Sequence, residues 1–190
     1  ALEAPRHDEP HEEMATFISD FSQDKKLCLV PRGTWKTSML STGFPLWMAM
    51  RAYFLEDNPS FRCLIDSETT RNSKLILDAI AAYTKNGINF RAIFGSHYKS
   101  ELHKADSFEF AFNENRSGGI KEPNFLASGL KSAKTGLHFD LINLDDLVSK
   151  DNYHSLAMRE KVWEHYRMMY SIKVADAGAS QTKNEGSPVM

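Results

Sequence analysis

Lys36 and Thr37 lie near the middle of the stretch LCLVPRGTWKTSMLSTG, residues 27–43. An apolar run breaks at a Pro-Arg-Gly turn and resumes in helix-favouring residues at the Lys-Thr pair. Strand, short loop and helix start form an arrangement that cradles phosphate. Backbone N–H groups at the helix start meet the anion, and the helix dipole adds to them. The lysine supplies a point charge to the outer phosphates, and the hydroxyl after it holds Mg2+. Lys36 and Thr37 fill those two roles by type and order. Arg32 adds a second cation, placed to touch a terminal phosphate, and Gly33 leaves one flexible point. Pro31, Thr34, Trp35 and Ser38 complete the set that would line the phosphates. The usual pattern, G-x-x-x-x-G-K-[ST], has glycine where this chain has Val30 and Trp35. Glycine before the lysine permits unusual torsions and a close backbone approach. Trp35 can still turn its N–H inward if its ring points away, onto an adenine base or a neighbouring subunit. Taken alone, the loop reads equally well as a strand-to-helix turn with a solvated lysine.

A second constellation changes that balance. FDLINLDD, residues 139–146, is an apolar strand pattern that ends in Asp145 and Asp146. Adjacent carboxylates at the tip of a buried strand repel each other, and each loses solvation, so the pair calls for a use. Asp145 would hold magnesium through its water shell, opposite Thr37. Asp146 would orient or deprotonate an attacking water. The plain alternative is a helix cap or a solvated turn. The 110 residues from Lys36 to Asp146 leave room for two or more βα units between the two motifs.

The elements that must carry these residues follow from periodicity. Residues 1–10 hold two prolines and read as a loose terminus. Met14, Phe17, Ile18 and Phe21 repeat at helical spacing within 11–22. Residues 25–30, KKLCLV, read as a buried strand. A helix should run from the Lys-Thr pair to about Leu55, kinked by Gly43 and Pro45. FRCLIDS, 61–67, is the next strand, and 69–85 a helix that stops at Asn86-Gly87. INFRAIFG reads as a short strand or extended segment, and SHYKSELHK as a loop. In 107–115, Phe108, Phe110 and Phe112 alternate with polar residues, as in a half-exposed antiparallel strand. FLASGL is a further short strand. Residues 155–171 form a helix, and 173–190 read as a disordered tail. Strands alternating with helices predict an α/β fold with an open, mostly parallel sheet and an antiparallel insertion near 107–128. Ligands of such sheets sit at the carboxyl ends of the strands. Both constellations fall there.

Bulk properties bound the partners. The formal net charge is -2 over 190 residues, so a global basic field is absent and any nucleic-acid contact is local or lent by another domain. Cys28 and Cys63 sit in apolar runs and read as buried free thiols of a reducing, cytoplasmic compartment. No apolar run approaches the roughly 20 residues that span a bilayer, and the polar N-terminus does not read as a signal peptide. No membrane contact is expected.

The pair LVPRGTWKTS and TGLHFDLINLDDLV resembles the ATPase domain of the large terminase subunit of tailed double-stranded-DNA phages. That family shares a P-R-G-x-x-K-[ST] loop and a downstream T-G-x-H-x-D-hydrophobic-D-D segment. GFPLWMA, NGINFRAIFG, KEPNFLASGL and DNYHSLAMREKVWEHY agree as well, so the likeness spans residues 11–172. It implies a P-loop NTPase of the ASCE type with ATP and Mg2+ as cofactors. Lys36 and Thr37 would bind phosphate and metal, Arg32 would sense the terminal phosphate, and Asp145 would position the metal. Asp146 stands where many relatives have glutamate. The family's ATPase drives double-stranded DNA through the portal protein into a procapsid, in the host cytoplasm, as a homo-oligomeric ring with a small terminase subunit. A basic residue acting across the subunit boundary has three candidates here: Arg116, Lys131 and Lys134. Large terminases continue into a nuclease domain built on clustered acids. No such cluster follows Asp151, so no nuclease activity is expected in this chain, and a separate nuclease chain or domain is the implied partner.

Other features weigh less. His7 and His11, with Asp8, Glu9 and Glu12, lack anything that fixes metal geometry. His97 and His103, with Lys99 and Lys104, read as a solvated loop, with DNA phosphate contact the sharper alternative. His138 has no assignable role. Two rival functions remain. One is a nucleotide-binding assembly module of a packaging complex with little or no turnover, favoured by Trp35. The other is a helicase fragment, although no Ser-Ala-Thr or Gln-x-x-Arg signature is present.

Overall fold

The computed structural model describes residues 9–115, 120–149 and 153–174. The readings made for residues 1–8, Arg116 and residues 175–190 lie outside them. Helix α1 (Glu9–Ser19) leads through coil to a π-helical segment, Thr37–Gly43, which passes directly into α2 (Phe44–Glu56). Then follow β1 (Cys63–Ser67), α3 (Thr70–Asn86), α4 (Ile88–Phe94), β2 (Tyr98–His103) and β3 (Ser107–Phe110). A 3-10 turn, Ala111–Asn115, precedes β4 (Phe125–Gly129), β5 (Leu141–Asp145) and α5 (Leu156–Ile172).

The five strands form one mixed sheet in the order β2-β3-β4-β1-β5. β1 lies at its parallel centre, between β4 and β5. β3 runs antiparallel to β4 and to β2. The antiparallel insertion is thus β2–β3, and FLASGL belongs to the parallel part. Strand alternation gives β1 two apolar faces. Cys63 and Ile65 pack with Met50 of α2 and with Leu77 and Ile80 of α3. Leu64 packs with Phe139 and with Met169 and Ile172 of α5. Burial on both sides makes every residue of β1 inaccessible, as a central parallel strand requires.

Three elements differ from the sequence reading. Residues 25–30 form no strand; Leu27 and Leu29 are 77% and 83% exposed, and Cys28 is only half-buried. The sheet edge beside β5 is occupied at its start by the chain leaving α5. Phe139 N–H donates to Ile172 O at 2.8 Å, and Val174 N–H to Phe139 O at 2.9 Å. This pairing also gives Lys173 and Val174 an ordered place that a disordered tail starting at 173 does not foresee. INFRAIFG is helical up to Phe94, because Phe90 and Phe94, four residues apart, pack together against the core. SHYKSELHK contains a strand rather than a loop. His97 lies among the rings of Tyr53, Phe54 and Phe112, and His103 packs on Phe108, so neither is a free DNA-contacting group.

Gly129, at the end of β4, marks the tightest approach of strand and helix. A Cβ there would meet Thr70 N at 2.5 Å and Thr69 C at 2.9 Å. Those are backbone atoms at the start of α3 and cannot swing aside. Gly129→Ala is expected to lower stability by about 1–3 kcal/mol, read as a shifted urea midpoint with an unchanged slope.

Candidate functional site

The carboxyl end of β5 meets the start of the π/α2 helix. Lys36 Nζ lies 2.7 Å from Asp146 Oδ1 and donates a hydrogen bond to it, across 110 residues of chain. The Thr37 and Ser41 side chains stand close enough to the Asp145 carboxylate to pull its pKa down. Asn143 of β5 donates from Nδ2 to Leu40 O at 3.0 Å, which fixes the strand against the helix one turn further on. The loop and the acidic strand tip, read separately in the sequence, therefore form one place.

The loop backbone enters the left-handed region twice. Gly33 and Trp35 both have positive φ, +85° and +59°. Left-handed backbone is uncommon for a tryptophan and signals strain. It falls at the position where the usual pattern places glycine. The Trp35 ring is 69% exposed, so the backbone turns without burying the side chain. Trp35 O accepts from Met39 N–H at 2.9 Å, Thr34 Oγ1 donates to Pro31 O at 2.8 Å, and the His11 ring meets Thr34 O at 3.2 Å. Helix α1 thus braces the loop through His11, which is a structural use for that histidine. Pro31, Arg32, Gly33 and Ser38 are exposed on the same turn.

The π-helical segment has a local cause. Gly43 and Pro45 interrupt regular pairing where the π geometry ends and α2 begins, so the reading of a kink becomes a change of helix type. Such segments often accompany functional positions. No side chain caps its N-terminus.

The electrostatics follow the geometry. Burial first, then the neighbouring Asp146 charge, pushes the Asp145 carboxyl above the usual carboxylate range; Ser41, Lys36 and Thr37 pull it down. A magnesium ion would find the right donors, since Thr37 and Asp145 offer hard oxygen ligands near one another. Among the described residues no group of three or more His, Cys, Asp or Glu is arranged to hold a metal by itself. A two-ligand site completed by water and phosphate is the form Mg2+ takes with nucleotides. Asp146 has φ +46° and turns its carboxylate to Lys36.

Four groups close to the strand ends were missed or placed elsewhere by the sequence. Asp66 of β1, Lys134 and His165 of α5 form a buried cluster on the opposite face of the sheet. Lys134 is therefore held inside its own chain, whereas Lys131 is exposed. Glu68, directly after β1, accepts a hydrogen bond from Ser149 Oγ in the loop beyond Asp146. No local pattern announces any of these pairings, because the partners stand 31 to 99 residues apart. His138 uses its backbone instead: its N–H donates to Glu122 Oε1 at 2.9 Å. Burial pushes the Cys63 thiol up, which makes it inert. An apolar hollow of about 170 Å3 between α2 and α4, lined by Leu46, Trp47, Met50, Phe90 and Phe94, offers no polar group to a phosphate. Among the described residues no helix is long and apolar enough to cross a membrane. Comparison of the chain with known protein families and with curated proteins finds no match.

Proposed function

We propose that the chain is a P-loop ATPase that hydrolyses Mg-ATP, and that it serves as the motor domain of a phage terminase large subunit. The observation that carries the ATPase reading is the meeting of Lys36-Thr37 with Asp145-Asp146 at one strand end. A cation, a hydroxyl and two carboxylates at a helix start match the needs of a metal-bound triphosphate better than any other ligand class. The terminase reading rests on the likeness of the loop and of the TGLHFDLINLDD segment. Double-stranded DNA, a portal protein, a small terminase subunit and a homo-oligomeric ring are the partners that go with it.

The residues divide the work as follows. The amides of 32–37 and the helix start bind the phosphates. Lys36 leaves Asp146 for the outer phosphates, where its charge balances the anion. Arg32, exposed on the same turn, closes over the terminal phosphate. Thr37 and Asp145 would hold Mg2+, which when bound neutralises charge growing on the phosphate oxygens. Trp35 exposes a flat apolar face that a base or a neighbouring subunit can cover.

Lys36→Ala is expected to lower Mg-dependent ATP hydrolysis by about 10²-fold, the loss typical of one electrostatic contact to a transition state. Phosphate release at equal rates in both proteins overturns the reading. The Lys36–Asp146 pair also favours a second reading, a nucleotide-binding assembly module with little turnover. Calorimetry that finds ATP binding in the intact chain without phosphate release selects the module.

A further inference from the structure

We infer that Glu68, rather than Asp146, is the carboxylate that activates the attacking water. This deepens the ATPase reading and rests on it. Three observations carry it. β1 and β5 run parallel with Ser67 opposite Asp145, so Glu68 is the next residue at the tip of the neighbouring strand, level with Asp146. Ser149 Oγ donates to Glu68 Oε1, which ties the Glu68 carboxyl to the loop that leaves Asp146. Asp146 turns toward the phosphate loop instead: without nucleotide its Oδ1 is 2.7 Å from the Lys36 ammonium, and its backbone is left-handed, φ +46°.

Position and reach favour Glu68. Ligands of parallel sheets bind beyond the carboxyl ends of adjacent strands, and β1 is the neighbour of β5, the strand that packs on the π-helical segment. Glutamate is one methylene longer than aspartate and spans the extra distance to a water in line with the terminal phosphate. Its backbone is held firmly. Thr69, the next residue, caps α3 by accepting from Asn72 N–H, and Ser67 before it is locked in the sheet. Partial burial limits competing solvent at its carboxyl.

The step balances as an in-line hydrolysis. Glu68 takes one proton from water as the water oxygen forms a bond to the γ-phosphorus. The bond from that phosphorus to the β,γ-bridging oxygen breaks, and its electron pair leaves with ADP. The proton passes from Glu68 to solvent when inorganic phosphate departs.

The test compares steady-state ATP hydrolysis in the intact chain and in Glu68→Gln, Ser149→Ala, Asp146→Asn and Lys36→Ala. Glu68→Gln is expected to lower kcat by about 10²-fold or more, the usual share of a general base, with KM for ATP within about threefold. Glu68→Asp should recover part of the rate. Ser149→Ala, which removes the tether, should lower kcat by roughly threefold to tenfold. Glu68→Gln turnover within threefold of the parent overturns the inference, as does a kcat loss in Asp146→Asn that exceeds that of Glu68→Gln. If Glu68→Gln does not fold, an unchanged kcat in Ser149→Ala overturns it. Parent turnover that depends on Lys36 but not on Glu68 sinks this assignment and leaves the ATPase standing. Absent parent turnover sinks both.

Discussion

Lys134→Ala is expected to remove about 3–5 kcal/mol of folding stability, the cost of leaving a buried charge without its partner. Lys134 is 1% exposed and Asp66 0%. Asp66 Oδ1 makes no hydrogen bond and faces the Lys134 ammonium at 3.3 Å. His165 of α5 closes on Asp66 Oδ2. Lys134 Nζ also donates to Gly129 O at 2.9 Å, so the side chain binds the ends of two strands to the helix that covers them. Truncation leaves a carboxylate in an apolar layer beside Leu64, Phe139 and Met169. Typical domains hold only about 5–15 kcal/mol in total, so the variant should show a much lower urea midpoint. The double variant Asp66→Leu with Lys134→Met should recover most of that loss, because well-packed apolar pairs often replace buried ion pairs without cost. A single-variant loss under about 1 kcal/mol would contradict this account. The pH dependence has a definite sign. Burial pushes the Lys134 ammonium below its usual 10.5, with Asp66 opposing. Between that depressed value and 10.5 the unfolded chain binds more protons than the folded one. The contribution of Lys134 alone then makes the unfolding free energy rise with pH across that window.

This cluster also shows where sequence reading stops. Helices α3 and α5 are legible as helices because apolar residues recur over several turns, but packing sets the buried face: Ile76, Leu77 and Ile80 on one and His165, Met169 and Ile172 on the other are buried, whereas Leu75, Tyr83, Leu156, Trp163 and Tyr170 are exposed. The Lys-Thr pair and the Asp-Asp pair are legible because each is a local pattern with a chemical need. The alternating Phe108, Phe110 and Phe112 correctly mark a buried face, although Phe112 falls in the 3-10 turn after β3. What fails is whatever depends on a distant partner. KKLCLV has the residues of a buried strand, but burial needs a sheet edge to receive it, and pattern alone does not say whether Lys173 takes that edge first. YKSELH carries two exposed residues at its middle and hides its strand character; its pairing with β3 supplies what propensity lacks. Asp66 sits inside FRCLIDS as one polar residue in a core strand. Nothing near it shows that a lysine 68 residues on and a histidine 99 residues on will neutralise it.

Asp145→Asn is expected to move stability and activity in opposite directions. Burial and the adjacent Asp146 raise the Asp145 carboxyl above 3.8, its value when exposed. Between 3.8 and the raised value the folded chain binds more protons than the unfolded one, so stability falls as pH rises through that window. At neutral pH the ionised Asp145 is therefore a standing cost to the metal-free fold. Asparagine removes the charge and the repulsion while keeping the size of the side chain and one oxygen. Its thermal midpoint should rise by about 2 °C at neutral pH, the shift that roughly 1 kcal/mol or less produces at this size. The gain should shrink as pH is lowered through the carboxylate range, where the parent becomes neutral as well. Activity should respond the other way. An amide is a poor partner for magnesium, and loss of the metal's charge stabilisation is expected to cut Mg-ATP turnover by about 10³-fold. Thermal unfolding with and without Mg-ATP separates the two effects, because the parent should be stabilised by the ligand and Asp145→Asn should not. A variant that is less stable than the parent without ligand, or one that keeps its Mg-ATP stabilisation, would show that Asp145 is a structural cap and that the charge crowding at this strand tip serves no metal.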